Sequence, residues 1–258
     1  MNNVDISFIM PVHNGEMFLQ KTINCVLSQK DINFEIIIID DFSNDRSYDI
    51  AAKYNKIDNR IKLIKNKRNE GFTKTINLGL KKSTGKYLII LDQDDYLENN
   101  HCKKMIEYMN DNVSMVFCDY NLIDENDKKF DFSNHCKHRN INIRDMIYRN
   151  QIPSIGLLIN IKKLKEVGGF YENDRFINYG EYYTWIKLLE VGKSVYCCDI
   201  RSNYRRHKNN MTNSFANKKI KEELIDYYNL CRYKLLEGNK LNILEKILLK
   251  TLIKIKYI

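Results

Sequence analysis

At 258 residues, 43% of them apolar, the chain is long enough to bury a substantial core, as one large α/β domain or one domain with a C-terminal appendage. Its net charge of +9 is local: residues 1–200 carry 28 basic and 28 acidic side chains, whereas residues 201–258 carry 14 and 5, which argues for a polyanion or membrane-surface contact in the C-terminal segment and against nucleic acid. Seven cysteines, odd in number and without a CxxC pair, argue for reduced thiols over a disulfide framework, and Cys136 beside His138 lacks the second pair a zinc site needs.

The N-terminal MNNVDISFIMPVHN lacks the basic region and long apolar region of a signal peptide. No stretch approaches the roughly 18 apolar residues of a spanning helix. A cytoplasmic location is expected.

In chain order, Ile6 to Met10 reads as a buried strand ended by Pro11. PVHNG turns into a helical stretch in which Leu19, Ile23, Val26 and Leu27 share a face. Phe34 to Ile39 is a second strand ending in Asp40 and Asp41, Ser43-Asn44-Asp45 supplies turn or cap chemistry, and a helix runs through Ile50 to Tyr54. Ile61 to Ile64 is a third strand. NKRNEG turns, Thr73 to Lys82 is helical, and STG leads into the apolar run Tyr87 to Leu91. Strands alternating with helices give a mostly parallel, Rossmann-like sheet whose strand ends Pro11 to Asn14, Asp40 to Asp41 and Asp92 to Asp95 lie along one edge.

That last run stops at three acids in four residues, Asp92, Asp94 and Asp95, at the strand end where open α/β sheets place ligands. Carboxylates this close raise each other's pKa unless donors or a cation offset the charge. A divalent ion shared with phosphate oxygens would do so. A polar turn capping the next helix, with Asp95 near the N-cap, is the alternative.

Beyond residue 97 the alternation loosens. A helix is expected over about 98–109, a strand over Ser114 to Cys118, a polar hairpin or loop over Asp119 to Asn142, and a strand over Ile155 to Ile159. VGGF at 167–170 is a turn, and Tyr182 to Val191 is a helix with Trp185, Leu188 and Leu189 inward. Val195 to Cys198 is a strand, and the chain is mainly helical from about Lys218.

The ordered set ISFIMPVHN, EIIIIDDFSNDRS, NEGFTKTINLGLKKSTGKYLIILDQDD, VGGFYEN, GEYYTWIKLLEVG and YRRHKNNMT, spread over about residues 4–212, resembles family 2 glycosyltransferases of the GT-A fold. The resemblance implies a GT-A domain over 1–215 and a basic helical extension over 216–258. It implies that Pro11, His13 and Asp41 hold the nucleotide base and ribose, with His13 where an aromatic residue is usual. Asp92 and Asp94 match the family's DxD motif, which binds the donor diphosphate through Mn²⁺ or Mg²⁺, and Asp95 is the frequent extra acid. Glu181, four residues before Trp185, takes the place of the usual aspartate base. Arg205 and His207 fall in a YRxH-like segment that closes over the donor phosphates.

The activity so implied is inverting transfer of a hexosyl or N-acetylhexosaminyl group from a nucleotide sugar, by default a UDP-sugar. The acceptor would be a hydroxyl of a glycan or lipid-linked molecule, in bacterial surface polysaccharide assembly. A nucleotidyltransferase, or a non-catalytic sugar- or nucleotide-binding module of the same fold, are the competing readings. In ILEKILLKTLIKIKYI, Ile243, Ile247, Leu248, Thr251, Leu252 and Ile255 share one helical face, and Lys246, Lys250 and Lys254 recur on another. Such a helix fits an anionic membrane surface or packing on the domain or on the second subunit of a homodimer.

Overall fold

The computed structural model describes residues 4–132, 140–147, 149–176, 178–210, 218–238 and 241–254, with 218–221 described by backbone alone. Cys136, His138, the 215/216 boundary and Ile255 lie outside these residues.

Strands β1 (Ile6–Val12), β2 (Phe34–Asp40), β3 (Ile61–Lys65) and β4 (Tyr87–Ile90) pair in parallel in the order β3-β2-β1-β4. Helices α1 (Leu19–Leu27), α2 (Ser47–Ile57) and α3 (Phe72–Lys82) connect them. Successive side chains of a strand point to opposite faces. Phe8, Met10, Ile36, Ile38 and Ile89 therefore meet Leu19, Ile23 and Val26 of α1 on one side. Ile9, Ile37, Ile39, Leu88 and Ile90 meet Ile76 and Leu80 of α3 on the other. Covering both faces is what makes these strands read as unbroken apolar runs.

Pro11 does not end β1, which continues to Val12 with Pro11 opposite Ile39. Ile9 O accepts from Leu91 N on the β4 side, and Val12 O accepts from Asp41 N on the β2 side. Alternation thus turns Pro11 towards β4, whose pairing with β1 stops at Ile9 opposite Ile90, so its missing N–H breaks no ladder bond.

The second half of the chain holds β5 (Tyr96–Leu97), α4 (His101–Glu107), β6 (Val113–Ile123), β7 (Lys129–Phe132), a 3-10 turn over Ile143–Met146, β8 (Leu158–Asn160), α5 (Ile161–Glu166), α6 (Glu181–Val191), β9 (Lys193–Arg205), α7 (Lys218–Glu237) and α8 (Ile243–Lys254). The sheet continues past β4 as β8-β6-β9-β5, with β7 pairing β6. Here it is mixed: β8 is antiparallel to β4 and β6, β9 is parallel to β6, and β5 is antiparallel to β9. The expected short strand at 195–198 is part of a 13-residue strand. Its polar half, DIRSNYR, hides the pattern because the register with β6 shifts between Phe117 and Asp119, which breaks the two-residue alternation.

Trp185 is fully buried, edge-on to Phe170 with ring centroids 6.1 Å apart, and so packs the core as its helical position suggested. Tyr227, Cys231 and Leu235 of α7 and Leu249 and Leu252 of α8 share this core with Tyr182 and Trp185. The C-terminal helices thereby support α6, the element that begins with Glu181.

Candidate active site

The loops after β1, β2 and β4 meet where strand order reverses, β1 leading to β2 on one side and β4 lying on the other, the usual ligand position of such sheets. They border a cavity of about 640 Å³ lined by Pro11, His13, Asp41, Asp92, Asp94, Glu181 and His207, among others. Seven sequence candidates from residue 11 to residue 207 are thus brought to one cavity.

Gln93, inside the acidic run, ties the first and fourth strand ends together: its Oε1 accepts from His13 N at 2.8 Å and its Nε2 donates to His13 O at 3.0 Å. Gly15 makes room for it, since a Cβ there would lie 2.3 Å from Gln93 Oε1. The His13 ring is fixed by Nδ1 at 2.9 Å from Asp41 O. Asp41 is buried and serves a second purpose. Its carboxylate accepts from Asn66 Nδ2 at 2.7 Å, Glu70 N at 2.9 Å and Gly71 N at 3.0 Å, and so holds the loop entering α3. Gly71 takes φ 85°, where a side chain would be strained.

Asp94 is engaged from the far end of the chain. His207 Nε2 lies 2.8 Å from its Oδ2 and Asn210 Nδ2 donates to the same oxygen at 3.3 Å, while the His207 ring rests on Phe18 with centroids 5.0 Å apart. The segment after β9 thereby reaches the acids that follow β4.

Two of the candidates lie outside the cavity lining. Asp95 is 2% exposed, does not border the cavity, and accepts from Arg205 N at 2.9 Å. Burial, then the charges of Asp94 and Asp92, push its pKa well up, which suits an internal anchor. Arg205 is 1% exposed and also stands outside the cavity. Its guanidinium donates to Asp94 O at 2.8 Å and Asp124 O at 2.9 Å, pairs with Asp127 at 2.6 Å and lies over the Phe18 ring. Both are struts joining β9 to the acidic loop, because consecutive residues of an extended segment point in opposite directions. Arg205→Met is therefore expected to lower stability by about 3 kcal/mol, the low end for breaking a buried pair since Asp127 is partly exposed. Urea unfolding measures this. An unaltered midpoint with weakened nucleotide binding would return Arg205 to the phosphate role.

Glu181 opens α6 and is partly buried in the cavity wall. Burial pushes its carboxyl up to about 7, with a hydrogen bond to Ser154 acting in the opposite direction. Asp92, at the open side, is pushed up to about 8, first by desolvation among its neighbours and then by the charges of Asp94 and Glu181. Among the described residues the lining contains four carboxylates and two imidazoles but neither Lys nor Arg. Such a wall favours a cation, and Asp92 and Asp94 are the donors that fit one. Among the described residues no group of three His, Cys, Asp or Glu side chains is preassembled to hold a metal. Mg²⁺ and Mn²⁺ typically take only one or two protein carboxylates, substrate phosphates completing the shell.

Sequence reasoning missed Gln93, Asn69, Asn178, Tyr204 and Asn210, which also line the cavity. These are polar or aromatic residues of loops and strand ends that no periodicity marks. The DQDD spacing held one available signal, since Gln93 lies between the two cavity acids.

The sequence profile of Glycosyl transferase family 2 matches residues 7–163. The putative glycosyltransferase EpsH of Bacillus subtilis is 33% identical over 120 residues, 46% of this chain and 35% of that protein, so the match spans about a third of that relative. The putative teichuronic acid biosynthesis glycosyltransferase TuaG of the same organism is 27% identical over 192 residues, 74% of each chain. Among solved structures, S. aureus TarS in complex with UDP-GlcNAc superposes with a TM-score of 0.78 at 17% identity, covering 98% of this chain and 72% of that one. The mannosyltransferase PcManGT from Pyrobaculum calidifontis, in complex with GDP-Man and Mn²⁺, superposes with a TM-score of 0.67 at 12% identity, covering 98% and 70%. At these identities the likeness shows the fold, a GT-A architecture.

Proposed function

Because this chain belongs to glycosyl transferase family 2, we propose that it transfers a sugar from a nucleotide diphosphate donor, by default a UDP-sugar, to an acceptor hydroxyl with inversion at the anomeric carbon. The observation that carries this reading is the convergence of Asp92, Asp94 and Glu181 on one cavity at the carboxyl edge of the parallel strands. The carboxyl pushed up to about 7 lies close to the working pH of a general base. Complexes of TarS with UDP-GlcNAc and of PcManGT with GDP-Man and Mn²⁺ support a nucleotide-sugar donor and a divalent cation.

Among the described residues an anionic diphosphate would meet four carboxylates in the lining and no Lys or Arg to offset its charge. Asp92 and Asp94 would hold Mn²⁺ or Mg²⁺, which when bound supplies positive charge to the departing nucleoside diphosphate. Pro11 and His13 border the space for base and ribose, with Asp41 behind them holding the loop. Glu181 accepts the proton of the acceptor hydroxyl as its oxygen bonds to the anomeric carbon. The carbon–oxygen bond to the donor phosphate breaks, and the leaving diphosphate keeps that electron pair. The name of TuaG, which places that protein in teichuronic acid biosynthesis, supports a polysaccharide setting with a glycan or lipid-linked acceptor.

Donor turnover with Mn²⁺, followed by proton NMR of the sugar product, tests the reading. An α-linked UDP-hexose should first yield the β-anomer, by transfer or by slow hydrolysis. First appearance of the α-anomer would sink the inverting mechanism, and no turnover of any nucleotide sugar would leave a binding module.

A further inference from the structure

We propose that the exposed face of α8 docks on an anionic bilayer surface. The inference does not depend on the donor chemistry above. Leu249 is fully buried and Leu252 is 6% exposed, so α8 has one apolar side seated on the core. The apolar face expected from sequence is thereby divided, because Leu252 turns inward. A second stripe faces water: Ile243 is 78% exposed, Leu244 77% and Ile247 55%. At about 100° per residue the same stripe continues through Lys250, Thr251 and Lys254, all exposed, so these two lysines share the face of Ile243 and Ile247 and do not form the separate face expected from the sequence. A helix whose packing side is already filled gains nothing within the subunit from three more large apolar residues held together in water.

The charges select the occupant. Glu245, the acid of α8, pairs with Arg144 at 2.5 Å, so it does not offset Lys250 and Lys254 beside the apolar residues. The C-terminal 58 residues also hold the chain's entire positive excess. A second copy related by a two-fold axis would bring identical lysines together, a repulsive arrangement. A bilayer bearing anionic headgroups satisfies both features, apolar residues entering the interface while lysines reach the phosphates. Among the described residues no helix is long and apolar enough to cross a membrane, so α8 would lie on the surface. If the acceptor is lipid-linked, docking would hold the cavity where that substrate resides, a consequence that alone rests on the reading of the reaction.

Co-sedimentation of the full chain with vesicles of phosphatidylglycerol and phosphatidylcholine, against phosphatidylcholine alone, decides it at low salt. Binding is expected only to the anionic vesicles and should fall as salt rises. The triple variant Ile243→Ser, Leu244→Ser, Ile247→Ser and the double variant Lys250→Glu, Lys254→Glu should each lower the partition coefficient by at least about tenfold. All five side chains are exposed, so melting temperature should stay unchanged in both variants. Wild type left in the supernatant, or binding by both variants equal to that of the wild type, would overturn the proposal. A concentration-dependent dimer lost in these variants, without vesicle binding, would reassign the face to a second copy.

Discussion

Glutamine in place of Glu181 is expected to lower sugar transfer at least about 10²-fold while nucleotide affinity stays close to that of the wild type. The amide keeps the size and polarity of the carboxyl but cannot accept the acceptor's proton. Donor affinity should be spared, because in the proposed reading it rests on the strand ends and a cation, which the substitution does not touch. The pH profile adds a readout that a structural role would not move. As the proposed general base Glu181 must be deprotonated, so kcat/KM should rise with pH through an acid limb at or below about 7, the level to which burial pushes Glu181. A cation at Asp92 and Asp94 favours the charged carboxylate and moves the limb down. Glu181→Asp shortens the reach by one methylene and should retain partial activity with a limb of its own. The glutamine variant should lack the limb; near-normal rates in it would move the base elsewhere. Asp174 is poorly placed to take over: its side chain is 90% exposed, outside the cavity lining, and paired with Lys74 at 2.8 Å.

The second large effect is expected at the cation site. Asp94→Ala should weaken Mn²⁺-dependent UDP binding and lower transfer by at least about 10²-fold, because a cation held there would supply several kcal/mol of leaving-group stabilisation and each 1.36 kcal/mol is a decade in rate. Asp94 also receives His207 and Asn210, so the variant loses this tether along with a cation donor. His207→Ala separates the two effects, since it removes one bond to the tether but neither carboxylate. If the cation matters, His207→Ala should retain most of the Mn²⁺ dependence that Asp94→Ala loses. Calorimetry of UDP binding with and without Mn²⁺ provides the comparison. Equal loss in both variants would make Asp94 a tether alone, and unchanged affinity in Asp94→Ala would remove it from the site.

The amino-acid sequence by itself determined the parallel half of the sheet and the edge where the site lies. Strands covered on both faces must be apolar throughout, so Ile6–Met10, Phe34–Ile39 and Tyr87–Leu91 stand out, and the polar residues that follow mark their ends. Glu181 carried no periodicity of its own and was legible only through the ordered motifs around it. Tertiary structure decided which neighbours in a motif face the cavity. Asp94 and Asp95 are adjacent in sequence, yet one borders the cavity while the other turns into the protein, where Arg205 N from a strand 110 residues away meets it. Arg205 was read as a phosphate ligand because its type suits phosphate; burial among Asp94, Asp124, Asp127 and Phe18 makes it a strut. The length of β9 depended on β6, and the direction of α8's two apolar stripes depended on the core that took Leu249 and Leu252. Sequence spacing fixes the angle between side chains around a helix or strand, but the partner that covers one side determines which of them remain available to a ligand or a surface.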